Sequence, residues 1–181
     1  VGAPGSGAIG RNAGTVSLID LEDFTISSVY QTGEQNDGFG HAMFGLPDMD
    51  GDAIGELAIG APSHQFVGGV FLANSSSSKI KQLAAGIGTK SSFGFAITSA
   101  GDIDGDRVID LIVGAPNAGG IGSVTMLDLN GKIAWSVTGN TRAEMFGSSL
   151  AAFEQTDYRS STTSFITGAP GYGRNSGAVY T

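Results

Sequence analysis

The stretch from Phe93 to Pro116 reads FGFAITSAGDIDGDRVIDLIVGAP. Phe-Gly opens it, an acidic nonapeptide fills its middle, and Gly-Ala-Pro closes it. The same frame stands 54 residues earlier, from Phe39 to Pro62, as FGHAMFGLPDMDGDAIGELAIGAP. Gly-Ala-Pro recurs at Gly2-Ala3-Pro4 and Gly168-Ala169-Pro170, and Phe-Gly at Phe146-Gly147. The last three Gly-Ala-Pro copies are 54 residues apart, and the Phe-Gly copies are spaced by 54 and then 53. Self-similarity at such a period marks a solenoid, propeller or array.

Within the unit that begins at Phe93, residues 93–100 alternate and turn at Gly101, and Leu111-Ile112-Val113 forms a short buried strand. Residues 122–129 make a third strand, Asn130-Gly131 reads as a hairpin turn, and residues 133–137 make a fourth. The preceding unit repeats the plan with strands at 40–46, 56–60, 68–73 and 79–84, the last two joined by the loop 74–78. Four short strands per unit, joined by tight turns, predict an all-β chain of β-propeller blades, each of four antiparallel strands. The expected division is a partial blade at 1–38, full blades at 39–92 and 93–145, and a partial blade at 146–181, about three and a half blades in all. The first partial blade holds the end of a second strand and further strands near 15–21 and 25–31. Gly10–Gly14 and Gly173–Gly177 read as the same turn at the two ends. The Phe and Gly-Ala-Pro residues read as scaffold: Phe39, Phe93 and Phe146 as core anchors, and each Gly-Ala-Pro as a place where backbones approach closely and a strand ends at Pro62, Pro116 or Pro170.

Composition narrows the function. The chain has no cysteine, so neither disulfides nor thiol chemistry contribute. Its net charge of −8 and lack of a basic patch argue against nucleic-acid binding. No run of 18 apolar residues is present, so no membrane insertion is expected from this segment. Val1 falls inside a repeat without an initiator Met or signal-like stretch, so the sequence reads as a mature fragment or one region of a longer chain.

The acidity is concentrated. Asp48, Asp50, Asp52 and Glu56 fall in one nonapeptide, and Asp102, Asp104, Asp106 and Asp110 in another, eight of the 17 acidic residues. Both place carboxylates at loop positions 1, 3, 5 and 9. A loop wrapped around a hard cation turns alternate residues inward. The backbone carbonyl at position 7 (Ile54, Val108) adds a neutral oxygen, and the carboxylate at 9 closes the shell. Calcium takes about six to eight oxygens in irregular geometry, whereas magnesium demands a tighter octahedron and zinc prefers sulfur and nitrogen. Two calcium ions are therefore expected. The corresponding loop of the third Phe-Gly unit, residues 155–163, retains Asp157 and has Arg159 where a further acid should stand, so no calcium is expected there.

Other signals are weaker. Gly5-Ser6-Gly7-Ala8-Ile9-Gly10 fits a dinucleotide-binding pattern, but no helix follows to hold a pyrophosphate. His41 and His64 have no nucleophile suggested by spacing and read as solvated or packed, so no catalytic residues are expected and the chain reads as not an enzyme. Asn74-Ser75-Ser76 is an N-glycosylation acceptor triplet in a turn. Arg-Gly-Asp is absent.

The Phe-Gly starts, Gly-Ala-Pro ends and acidic loops together resemble the FG-GAP repeats of integrin alpha subunits and their bacterial and protist relatives, over essentially the whole chain. The resemblance implies a propeller, commonly seven-bladed, with calcium loops between the first and second strands of a blade. It implies an extracellular or cell-surface setting, adhesion or ligand binding on a propeller face, and an extracellular protein, a glycan or further blades of the parent chain as partners. Carried residue by residue, the ligand positions are Asp48, Asp50, Asp52, Ile54 and Glu56, and Asp102, Asp104, Asp106, Val108 and Asp110. The family loop usually has Gly at position 6, where this chain has Ala53 and Arg107. Two alternatives stay open: an accessory propeller on a secreted hydrolase, and a subunit of a surface filament.

Overall fold

The computed structural model describes residues 1–7, 10–32, 34–77, 79–156 and 161–181. They form four antiparallel sheets in chain order. The first contains β1 (Gly2–Ala3), β2 (Thr15–Ile19) and β3 (Ile26–Tyr30). The second runs β4 (Ala42–Gly45), β5 (Leu57–Ala61), β6 (Gly69–Ala73) and β7 (Ile80–Ala85). The third runs β8 (Ala96–Gly101), β9 (Asp110–Ala115), β10 (Ser123–Leu127) and β11 (Ile133–Thr138), and the fourth β12 (Ser149–Thr156), β13 (Ser161–Ala169) and β14 (Ala178–Tyr180). Each sheet is a meander of sequential neighbours, as expected of propeller blades.

The inner strands of the second and third sheets bury both faces, because each of those sheets packs between two others. In β5, Ile59 and Ala61 face a core with Val16, Tyr30, Phe39 and Phe71, while Ala58 faces the opposite side with Leu46, Val70 and Phe93. In β9, Leu111 and Val113 share that second core, and Ile112 turns to a third with Val124, Met126 and Phe146. This is the two-residue alternation of a strand, with apolar residues on both faces. Phe39 is fully buried, and Phe93 and Phe146 nearly so. Truncating such a residue to alanine typically costs about 3–5 kcal/mol.

Phe-Gly and Gly-Ala-Pro turn out to be mating surfaces of successive sheets. A Cβ on Gly60 would collide with the carbonyl oxygen of Gly94, and one on Gly114 with that of Gly147. The N–H of Phe93 donates to the Val67 carbonyl at 3.2 Å, and that of Phe146 to the Ile121 carbonyl at 3.1 Å. Only glycine lets two backbones approach this closely. The repeated motifs therefore set the spacing of the blades as well as their cores.

Two local features differ from the sequence expectation. The N–H of Gly131 donates to the Asp128 carbonyl at 3.0 Å, and that of Asp128 to the Lys132 carbonyl at 3.0 Å. Gly131 has φ 87°, whereas Asn130 keeps a negative φ. The loop is thus a three-residue turn ending in a left-handed glycine rather than a two-residue Asn-Gly turn, and the ladder shifts register at Met126/Leu127. A short helical turn also follows each of three Gly-Ala-Pro segments, at His64–Phe66, Ala118–Gly120 and Tyr172–Asn175. These lie in the same phase of the repeat, and Gln65, Gly119 and Gly173 all have left-handed φ (48°, 59° and 59°). The last one covers part of 173–177, where Ser176 N–H bonds the Gly173 carbonyl; at the other end Ala13 N–H likewise bonds the Gly10 carbonyl. No helix among the described residues is long and apolar enough to cross a membrane.

Candidate metal centres

The first acidic loop joins β4 to β5, where the ladder ends at Gly45↔Leu57. Its aspartates wind the chain by accepting its own N–H groups. Asp48 Oδ1 accepts from Gly51 at 2.7 Å and Oδ2 from Ala53 at 2.8 Å. Asp50 Oδ1 accepts from Asp52 at 3.3 Å, and Asp52 Oδ1 from Ile54 at 2.8 Å. Glu56 Oε2 reaches back to the N–H of Met49 at 2.8 Å. These short-range side-chain turns are what Asp does best outside regular structure. The Gly51 and Ala53 N–H groups hold the Asp48 carboxyl below the ordinary aspartate value.

The second loop, between β8 and β9, is built on the same template. Asp102 accepts from Gly105 at 2.7 Å and Arg107 at 2.8 Å, Asp104 from Asp106 at 3.1 Å, and Asp106 from Val108 at 2.7 Å. Asp110 Oδ2 accepts from Ile103 at 2.8 Å, the counterpart of the Glu56–Met49 bond. Position 6 is left-handed in both loops, with φ 67° at Ala53 and 72° at Arg107. That conformation suits the glycine of the family pattern.

The loops differ in what converges. Asp48, Asp50, Asp52 and Glu56 each bring one oxygen within 4.8 Å of the others. Asp102, Asp104 and Asp106 do the same, but Asp110 is not among them. Glu56 carries one methylene more than Asp110 and reaches further from its strand. Its Oε1 is buried with no hydrogen-bond partner, an arrangement that is costly unless something else meets it. Asp110 is 3% exposed. Burial pushes its carboxyl above the ordinary value, the charges of Asp104 and Asp106 push it further, and the Ile103 N–H opposes them. Ile54 and Val108 stand at position 7 with exposed side chains.

Asn74 has a part that sequence reasoning missed. Its Nδ2 donates to Asp50 Oδ2 at 2.5 Å, tying the β6–β7 turn to the first acidic loop. Its Oδ1 accepts from Ser76 Oγ at 2.9 Å and Ser77 N–H at 2.7 Å. The signal available in sequence was its place in the repeat: Asp128 holds the corresponding position after β10 and likewise organises its turn, accepting from Asn130 and Lys132. His41 is exposed, with Nδ1 3.0 Å from the Phe95 carbonyl oxygen, and His64 is buried beside Asp37. Asp157 and Arg159 lie outside the described residues. The strands that flank them pair as far as Thr156↔Ser161.

No family model matches the chain. Integrin alpha-8 of Gallus gallus is 32% identical to it over 121 residues, which is 60% of this chain and 12% of that protein. Integrin alpha pat-2 of Caenorhabditis elegans is 30% identical over 116 residues, 59% of this chain and 9% of that protein. This similarity, over about 60% of the chain, supports an integrin alpha-like FG-GAP propeller region. The chain spans about a tenth of the length of these curated relatives. In this integrin alpha-like region the repeats coincide with the antiparallel sheets, and the two acidic loops each join the first and second strands of a four-stranded sheet.

Proposed function

We propose that the chain is a non-catalytic, calcium-binding segment of the propeller of an extracellular adhesion or structural protein. The observation that carries the calcium reading is the first loop: four carboxylate oxygens converge there, and Glu56 Oε1 is buried with no partner from the protein. Unit charges about 5 Å apart repel by roughly 1 kcal/mol in water and roughly 3 at an effective dielectric of 20. A cation removes that repulsion and meets the orphaned oxygen. The donors are all oxygen, which suits calcium better than zinc. Asp48, Asp50, Asp52 and Glu56 would hold one ion with the Ile54 carbonyl. Asp102, Asp104, Asp106 and Asp110 would hold another with the Val108 carbonyl. The bound ions neutralise and stiffen the hairpins between first and second strands.

The blades divide at 1–38, 39–92, 93–145 and 146–181 in this reading, with further blades of a parent chain completing a ring, since an open propeller leaves edge strands unprotected. The similarity to integrin alpha chains favours a cell-surface or extracellular setting and an extracellular protein or glycan as ligand.

Thermal unfolding in about 2 mM calcium and in chelator tests the calcium reading. Extracellular calcium modules bind with dissociation constants on the order of 10⁻⁴–10⁻³ M. Each site then adds about 0.6–1.8 kcal/mol by mass action. Two sites should raise the midpoint by several degrees, at about 2–4 °C per kcal/mol for a chain of this size. An unchanged midpoint refutes calcium binding.

A further inference from the structure

Glu34, Asp37 and His64 converge apart from the acidic hairpins, with one ligating atom from each within 4.8 Å of the others. Glu34 and Asp37 lie in the linker from β3 to β4, and His64 in the turn after β5, so the group joins the first sheet's exit to the second sheet. His64 Nδ1 is 2.9 Å from Asp37 Oδ2 and 3.6 Å from Glu34 Oε2. The Thr32 hydroxyl donates to Asp37 Oδ2 at 2.6 Å. The side chains of His64 and Asp37 are 5% and 2% exposed, and that of Glu34 is 52% exposed, at the mouth. Phe71 meets the imidazole edge-on at a centroid distance of 5.0 Å and fixes its plane.

We propose that this trio is a third cation site, selective for a divalent transition ion of the zinc class. A tetrahedral zinc ion with bonds of about 2.0–2.1 Å separates its ligands by about 3.3–3.4 Å. The two measured separations from Nδ1 bracket that value. An imidazole nitrogen with two carboxylates suits zinc, whereas calcium sites are built from oxygen. An Asp–His hydrogen bond accounts for Asp37 and His64 alone. Glu34 Oε2, 3.6 Å from the same ring nitrogen, lies beyond hydrogen-bond reach, and a dication in place of the Nδ1 proton meets both carboxylates. Binding to the Nδ1-protonated ring releases that proton to solvent.

The repeat supplies an internal control. The same backbone bond closes all three junctions: Ser63 N–H to the Asp37 carbonyl at 3.1 Å, Asn117 to Ser91 at 3.1 Å, and Gly171 to Glu144 at 3.0 Å. At the second junction Ser91 and Ala118 replace Asp37 and His64, and Ser91 Oγ donates to the Val67 carbonyl. At the third, Glu144 is taken up by the N–H groups of Asn140 and Thr141 and by the Tyr180 hydroxyl. The junction as such therefore closes without a metal-ligating trio.

The test is zinc binding by the metal-stripped chain held in excess calcium, read by equilibrium dialysis with elemental analysis. One zinc per chain is expected to survive the calcium. Glu34→Gln, at a largely exposed side chain, should weaken zinc on the order of 10–100-fold while leaving the metal-free melting midpoint unchanged. His64→Gln should abolish it, and cobalt bound in place of zinc should lose its visible absorption in that variant. No zinc retained in excess calcium, or zinc affinity unchanged by Glu34→Gln, overturns the proposal. The first outcome leaves the calcium reading of the acidic hairpins untouched, and loss of the calcium effect leaves this one standing.

Discussion

The two acidic hairpins share a backbone and differ in their closing acid. Loop positions 1, 3 and 5 are Asp in both, and the N–H groups they accept are the same ones in each. At position 9, Glu56 joins the convergence and leaves one buried oxygen unpartnered, whereas Asp110 stays in its strand, buried and outside it. The winding of the loop is a local matter, decided by Asp side chains bonding N–H groups two to five residues on. Closure of the site is a matter of reach, decided by one methylene. Two acidic loops can thus share one grammar and differ in what they bring together.

The largest expected effect breaks that comparison at position 9. Glu56→Gln removes the negative charge, and it keeps the bond to Met49 only by placing its amide NH2, a donor, where the buried oxygen stood. It should weaken calcium at the first loop by about tenfold, near 1.4 kcal/mol. Asp110→Asn should weaken the second loop less, and Asp110→Glu should strengthen it. Calorimetric titration of the three variants checks the order, and equal losses for Glu56→Gln and Asp110→Asn would remove the asymmetry.

The next effect is on pH dependence without calcium. Asp110 has a folded-state pKa raised by burial and by its neighbours. In the window between its unfolded and folded pKa values the folded state binds more protons. Its contribution to stability is therefore fully present below the unfolded pKa and is lost as pH rises through the folded one. In chelator, Asp110→Asn should raise the melting midpoint at pH 7 by a degree or two and flatten this part of the profile. In calcium the same change should lower the midpoint. Asp48, whose folded pKa is lowered, contributes in the opposite sense: its share is present above the unfolded pKa and is lost as pH falls through the folded one.

The smallest effect concerns position 6. Ala53 and Arg107 hold left-handed φ, which costs an L-residue roughly 1–2 kcal/mol, partly offset by the greater freedom glycine loses on folding. Ala53→Gly and Arg107→Gly should each raise the melting midpoint by a degree or two. They sharpen the comparison because both loops should respond alike, the backbone being common to them.

Much of the architecture was legible because repetition exposes it. The four sheets and their strand order follow from Phe-Gly, Gly-Ala-Pro and short alternating runs at one period. Those motifs read as core anchors, close backbone approaches and strand ends. The partner was not legible: Gly60 and Gly114 press against the backbone of the next sheet, a contact between segments more than 30 residues apart. The turn at Asn130-Gly131 was recognised but its length was not, because Asp128 captures two N–H groups and draws the loop out to three residues.

The candidate sites show the same boundary. Asp48, Asp50 and Asp52 could be read as one group because a short loop brings alternate residues together whatever surrounds it. Asn74 and the trio of Glu34, Asp37 and His64 could not, since their partners arrive from another turn or another sheet.

The amino-acid order by itself determined the repeat, the all-β class and the winding of the acidic loops, since each rests on interactions over a few residues or on periodicity. Tertiary structure alone decided that Glu56 Oε1 is buried without a partner from the protein, and that Asp50 is held by Asn74. It also decided that a histidine from one unit meets two acids from the linker before it. Those outcomes depend on how sheets stack, because side-chain reach and burial are properties of the packed assembly and not of any single segment.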